Sequence, residues 1–383
     1  MKIRAWAVEA YSGKAVAELP LLDWSGSDGI NGGSLSASIS LDLASRDGSS
    51  SDWGAVSRMA GVHGWIQAGF RSLAITGEWL GADGEPSRRV LLGEWVVAHA
   101  SLDSSERASR LSGFPWADYP RYIHDAYRRQ YEARDAGEIL AEVLGVAFGP
   151  LAITVPNLVA GYTVEVDRVP FSGQLGDVAQ ELVDQSPGLE WTVRCTPTWD
   201  GDRLASVQRQ VVMGVPTLDR QSTIAFEAGE TGTRHGNCTV SGGEPDMANY
   251  ARDVIALGAG QGADRLVGRA TDLRLGAQGY LFASKIVHYP EVHSQAALDR
   301  LARGELARSL DTRDGRLSPP LTPYEVTARV DALPEVPRVG DRARLIHPRS
   351  QAYPGGIDAE IRVGEVAYRG DGPTLEIVSV KAV

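Results

Sequence analysis

The chain has 383 residues, 43% of them hydrophobic and 23% charged, with a formal net charge of −11. That length allows two or three domains, and the composition excludes a disordered, collagen-like or disulfide-dense chain. The acidic balance argues against a dedicated nucleic-acid binder, which would carry a basic footprint.

The N-terminal strands come first. Ile3 to Ala10 alternates loosely and runs into the turn Tyr11-Ser12-Gly13-Lys14. Ala15–Leu22 is a second strand, and Ser25–Gly33 reads as a Gly/Ser/Asp-rich loop. Ser34–Leu43 alternates with period two, the mark of a half-buried strand. Asp47–Asp52 reads as a loop, and Ser57–Gly69 fits no single template. Ser72–Leu80, a turn at Gly81–Pro86 and Arg89–Ala98 predict a hairpin.

The pattern changes near Pro115. Pro120–Tyr131 and Ala136–Leu144 carry helical spacing. Ser172–Gln185 predicts a helix with Ser172 as N-cap and a stripe of Leu175, Val178, Ala179, Leu182 and Val183. Pro187-Gly188 ends it. Leu189–Thr196 and Arg203–Met213 predict strands around the turn Asp200-Gly201-Asp202.

Strands resume at Ser222, with candidates at Arg234–Ser241, Tyr250–Ala259, Asp264–Asp272 and Leu281–His288. His293–Leu310 is the clearest helix, with Ser294 at its start. Tyr324–Val330, Arg342–Ile346, Asp358–Tyr368 and Thr374–Val380 follow the breaker Pro319-Pro320. Gly93-Glu94-Trp95-Val96-Val97 is echoed by Gly364-Glu365-Val366-Ala367-Tyr368. That echo fits two related β-barrels separated by an inserted domain.

Candidate chemistry is sparse. Gly258-Ala259-Gly260-Gln261-Gly262 follows an apolar strand, but a phosphate loop needs a helix next, and Ala263–Ala270 reads as a strand. A Gly-rich turn between strands is the expectation; a nucleotide-dependent enzyme is the competing one. The histidines are His63, His99, His124, His235, His288, His293 and His347. His288 and His293 are five apart and lack zincin spacing, and Glu291 between them fixes no geometry. No nucleophile elbow is present, and Cys195 has no base near it in sequence. Catalytic, cofactor and metal residues are therefore expected to be none.

Cys195 and Cys238 are the only cysteines, too few for a Cys-based zinc site or a disulfide framework, and are expected as reduced thiols. No stretch reaches the ~18–20 apolar residues of a membrane span, and the N-terminus lacks a signal-peptide apolar run. The expectation is a soluble protein made in a cytoplasm. Basic residues are nearly all Arg, with lysine only at Lys2, Lys14, Lys285 and Lys381, as GC-rich coding would give. Trp53, Trp65, Trp79, Trp95 and Trp116 crowd the first third. They read as core, with interface anchors or a glycan platform as alternatives.

From Ser222 onward the chain resembles the tail hub proteins of tailed bacteriophages, the baseplate-hub family. The carriers are Val254–Leu257 with its Gly-rich turn, Tyr289-Pro290-Glu291 leading into Gln295–Leu310, and Pro337-Arg338-Val339-Gly340-Asp341 before a strand. The helix Asp135–Leu144 and the segment Phe171–Trp191 resemble the family's inserted α+β domain. Minor tail proteins of phages of high-GC bacteria share this layout.

The resemblance implies a mainly β fold with an α+β insertion, as two tail-tube-like β-barrel domains separated by a small α+β domain. The implied domains are 1–114, an N-terminal β-barrel; 115–221, the inserted α+β domain; and 222–383, a second β-barrel with one long helix (293–310). The implied protein is a structural, non-enzymatic homotrimer in the virion tail tip, assembled in the host cytoplasm. Three copies would make a six-barrel ring joining a sixfold tail tube to a threefold tip and would form part of the genome channel. Its implied partners are distal tail or tail-tube proteins, the tape-measure protein and other tip or fibre proteins. DNA would meet it only in transit, and no membrane anchoring is expected. The chain stops after the last strand pair, at Lys381-Ala382-Val383, so a C-terminal fibre, needle or cell-wall hydrolase is expected on another protein. The alternative is a peripheral minor tail protein that binds a host-surface glycan or receptor.

Overall fold

The structure is a computed structural model. It describes residues 2–30, 32–40, 71–80, 86–103, 108–168, 170, 173–185, 188–229, 236–290, 292–313, 316–369 and 374–382. The expectations for Asp47–Asp52, Ser57–Gly69, Trp53, Trp65, His63, His235, Ser172 and Glu291 lie outside the described residues.

The N-terminal region contributes β1 (Lys2–Glu9), β2 (Ala15–Leu19), β3 (Leu21–Gly29), β4 (Ser34–Ser40), β5 (Arg71–Leu80), β6 (Pro86–Asp103) and β7 (Ala108–Pro115). A 3-10 turn at Trp116–Tyr122 then leads to β8 (Arg129–Asp135), α1 (Ala136–Phe148), β9 (Ile153–Thr154), β10 (Thr163–Arg168), α2 (Leu175–Asp184), β11 (Glu190–Asp200) and β12 (Arg203–Gly214). The remainder is β13 (Arg220–Glu227), β14 (Cys238–Gly242), β15 (Asp253–Leu257), β16 (Val267–Thr271), α3 (Arg274–Ala277), β17 (Ser284–His288), α4 (Gln295–Arg308), β18 (Asp311–Arg313), β19 (Arg316–Ser318), β20 (Tyr324–Arg329), β21 (Asp341–His347), β22 (Ile357–Arg369) and β23 (Thr374–Ala382). The chain is mainly β with α+β layers, as its alternating segments predict.

Among the described residues one sheet of 13 strands takes in both ends of the chain, in the order β14-β20-β23-β22-β3-β4-β7-β6-β5-β1-β2, with β21 and β13 branching from β22. These pairings close into no barrel; the two expected barrels meet as one continuous sheet. The cause is the length of β22. Its residues 357–362 pair with β21, and residues 365–369 pair with β3, where Glu365 lies opposite Gly29. One core follows, running from Trp24, Ile39, Leu73 and Trp95 to Phe226, Leu345, Ile361 and Val363.

Local patterning explains most strands. Leu35, Ala37 and Ile39 of β4 point inward in alternation. In β1 all of Ala5, Trp6, Ala7 and Val8 are buried. Ala5 and Ala7 face the main core, while Trp6 and Val8 pack with Leu204 and Val207 of β12, which covers the outer side. Sheet faces covered on both sides give continuous apolar runs.

Two segments depart from their expected form. Ser25–Gly29 is strand, part of β3, and not loop. Small residues are needed there because a Cβ on Gly26 would lie 2.8 Å from the Trp95 ring, whose Nε1 donates to Ser27 O at 2.9 Å. Pro120–Tyr131 is not a helix. Pro120 sits inside the 3-10 turn, where its missing N–H and ring stop an α-helix from continuing, and the chain becomes β8 at Arg129.

The middle region has its own core. α1 buries Ile139, Leu140, Val143 and Leu144, and α2 buries Leu175, Val178, Ala179 and Leu182 against Trp116, Val193 and Val211. Asp135 caps α1, accepting from the N–H groups of Gly137 and Glu138. The helix α2 begins on Gln174, which forms a capping box with Asp177. A further layer sits within the C-terminal third: β15, β16 and β17 form a separate sheet, and Leu298 and Leu301 of α4 pack on Ala256 and Ala270. Ser294 caps α4 as expected.

Candidate functional site

The stretches screened for chemistry resolve into ordinary structure. Gly258–Gly262 turns β15 into β16. Gly258 N and Ala259 N donate to Leu266 O and Val292 O, both at 2.9 Å, and the next element is a 3-10 turn and a strand. His288 ends β17, and His293 lies before α4. Among the described residues no three His, Cys, Asp or Glu side chains gather as a metal site. Cys195 and Cys238 are free thiols in separate strands. Burial, then Glu94 close by, pushes the Cys195 thiol well up.

The chemistry that does concentrate is a buried junction. The hairpin β11–β12 leans on the N-terminal sheet, and Arg209 of β12 reaches into it. Arg209 Nε donates to Glu94 Oε2 at 3.0 Å, and its Nη2 donates to Glu94 Oε1 at 2.6 Å. Both side chains are wholly shielded from solvent. Nη1 donates to Ala10 O at 2.7 Å, and Nη2 also reaches Glu9 O at 3.2 Å and Ser72 Oγ at 3.3 Å. The Trp116 ring covers the guanidinium at 4.4 Å. Burial alone would lower the Arg209 pKa; the Glu94 carboxylate outweighs it and holds the group above its ordinary value. All three nitrogens of the planar fork donate, which fixes one orientation.

Backbone contacts continue the joint. Val207 N donates to Gly13 O at 2.7 Å. Gly13 has φ +70°, and a Cβ there would meet Val207 O at 2.3 Å, so glycine is required on both counts.

Two further ion pairs bind the middle region to the rest. Glu190 of β11 accepts from Arg362 of β22, with Nη2 to Oε1 at 3.0 Å, and its Oε2 accepts from Leu218 N at 2.9 Å. On the far side α4 joins it through Arg300 to Gln185 at 3.1 Å and Arg308 to Asp184 at 3.3 Å. The middle region is therefore held from three directions by charged or polar contacts and by its own apolar core.

Where the sheet halves meet, aromatic rings replace ions. Trp24 stacks on Tyr368 at 5.5 Å and tilts against Trp95 at 6.0 Å. The sequence echo falls here: Trp95 ends Gly93-Glu94-Trp95 in β6, and Tyr368 belongs to the matching segment in β22. A Cβ on Gly93 would lie 2.3 Å from the Trp95 ring. Trp95 and Trp116 are core residues, as the first of the expected readings had them.

Solved structures of similar shape identify the architecture. A tail protein of Neisseria meningitidis MC58 aligns over 99% of this chain and 96% of its own, at 14% identity and a TM-score of 0.54. The 43 kDa tail protein of prophage MuSo2 from Shewanella oneidensis aligns over 100% of this chain and 98% of its own, at 12% identity and a TM-score of 0.51. The chain has the fold of phage tail proteins. The E. coli protein c3393, a type VI secretion component, covers 77% of its own length at 10% identity, and its TM-score of 0.42 is too low to carry an argument. No family model and no curated relative matches the sequence.

The sequence carries only one local sign of this junction. The available sign was in β12, where Val207, Arg209 and Val211 share the buried side of an alternating strand. An arginine on an apolar face requires a carboxylate partner. Its partner Glu94 stood in the repeated Gly-Glu pair, but 115 residues away.

Proposed function

We propose that this protein is a structural, non-enzymatic component of a phage tail tip: a homotrimeric hub that joins the sixfold tail tube to the threefold tip and forms part of the genome channel. The observation that carries this reading is the end-to-end fold similarity to two tail proteins, which spans 96% and 98% of those chains. A continuous sheet through both ends of the chain, with the middle region bound to it by buried ion pairs, suits a part that must hold its shape under load. The two β regions of each chain would stand in for two tube subunits, so that three copies present six. Its partners would be distal tail or tube proteins, the tape-measure protein and other tip proteins, with DNA passing through, and its place would be the virion.

Light scattering on the purified chain tests the assembly. Three chain masses support the hub; a monomer that stays monomeric at high concentration counts against it. The glycan-binding alternative drew on exposed tryptophans, and the burial of Trp95 and Trp116 gives it no support.

A further inference from the structure

A cavity of about 70 Å³ lies where the N-terminal sheet, the middle region and β22 meet. Its wall includes Asp28 of β3, Trp116 of the 3-10 turn and Thr192 of β11. Each of these carries a shielded polar atom with no protein partner: Asp28 Oδ1, Trp116 Nε1 and Thr192 Oγ1. Buried polar groups are nearly always paired, so three orphans around one cavity call for a common partner.

Their chemistry selects that partner. An indole N–H only donates, an unpaired carboxyl oxygen accepts, and a hydroxyl does both. A metal cation would face the Trp116 hydrogen, and an anion would face the Asp28 carboxylate. Arg194 and Arg338 also line the wall, and Glu94 there is already held by Arg209. A small neutral molecule that both donates and accepts suits all three atoms. Water does so, and the volume is several times the roughly 10–15 Å³ that one molecule needs.

We propose that this cavity is a built water site, in which a small cluster of ordered water bridges Asp28, Trp116 and Thr192 and so ties three parts of the fold together. Such water is part of the structure and costly to remove. The site lies beside the Arg209–Glu94 pair, since Glu94 and Trp116 belong to both.

Thr192→Val tests this by sign. The substitution keeps the shape and the β-branch and removes only the hydroxyl. If water fills the site, the variant strands a water hydrogen bond and its Tm falls. If the site is dry, the variant removes an unpaired hydroxyl and its Tm stays the same or rises, which overturns the proposal. A crystal structure of the unaltered protein at about 1.5 Å gives a second reading. Density for water within hydrogen-bond reach of all three atoms is expected; a cavity without such density, or one closed by side chains, contradicts it.

Discussion

Arg209 and Arg344 both grip a carboxylate with two hydrogen bonds, in opposite surroundings. Arg209 meets Glu94 at 3.0 and 2.6 Å, with both side chains fully shielded. Arg344 of β21 meets Asp358 of β22 at 2.9 Å twice, with side chains 61% and 63% exposed. Geometry alone would rank them equal. Solvent screening makes the outer pair nearly neutral in energy, while the inner pair cannot lose one member without stranding a charge in the protein interior. The inner pair also joins two regions, and the outer one merely decorates neighbouring strands.

Breaking the inner pair gives the largest expected effect. Glu94→Ala leaves Arg209 buried and unpaired and should destabilise the protein by about 3–5 kcal/mol, read as a lower denaturation midpoint. A change no larger than a surface substitution would show that water reaches Arg209 and that the contrast fails. Next is Gly93→Ala, which pushes a methyl group into the Trp95 ring beside that pair; overpacking of this kind costs about 1–3 kcal/mol. The same midpoint measures it, and an unchanged value would mean that the Trp24–Trp95–Tyr368 cluster can shift.

Asp28 sharpens the comparison through pH. Burial first, then Asp118, and also Glu365, against the opposing hydrogen bond from Gly29, push its carboxyl up to about 7. The folded state therefore binds this proton more tightly than the unfolded chain, whose group titrates near 3.8. Between those values, stability contributed by Asp28 falls as pH rises and levels off above about 7. Relative to Asp28→Asn, the unaltered protein should gain stability as pH drops from 8 to 5; parallel profiles would contradict that. The smallest effect is expected from Arg344→Ala, where the midpoint should not move measurably at physiological salt. A clear loss there would erase the contrast from the other side.

The legible parts of this fold are those whose information is local. The β5–β6 hairpin announces itself by alternation on both sides of a turn, and α4 by its cap Ser294 and the inward Leu298 and Leu301. Pairings between remote strands leave no such trace. Nothing in Ser25–Gly29 says that it meets residues 365–369, so the sequence suggests two separate barrels where one sheet runs through. The separate sheet of β15, β16 and β17 was hidden for the same reason, because each strand is readable alone and its neighbours are not. The junction shows the limit most clearly: Arg209 is conspicuous in its strand, yet only the folded chain names Glu94 as its partner.

The central claim is that this chain is a threefold hub in a tail. Symmetry-averaged electron images of the tail tip of an assembled particle test it most directly. The account predicts three copies in a ring at the end of the tube, with the two β regions of each chain alternating around the channel. A different copy number, or a position on the outside of the tail, would contradict it.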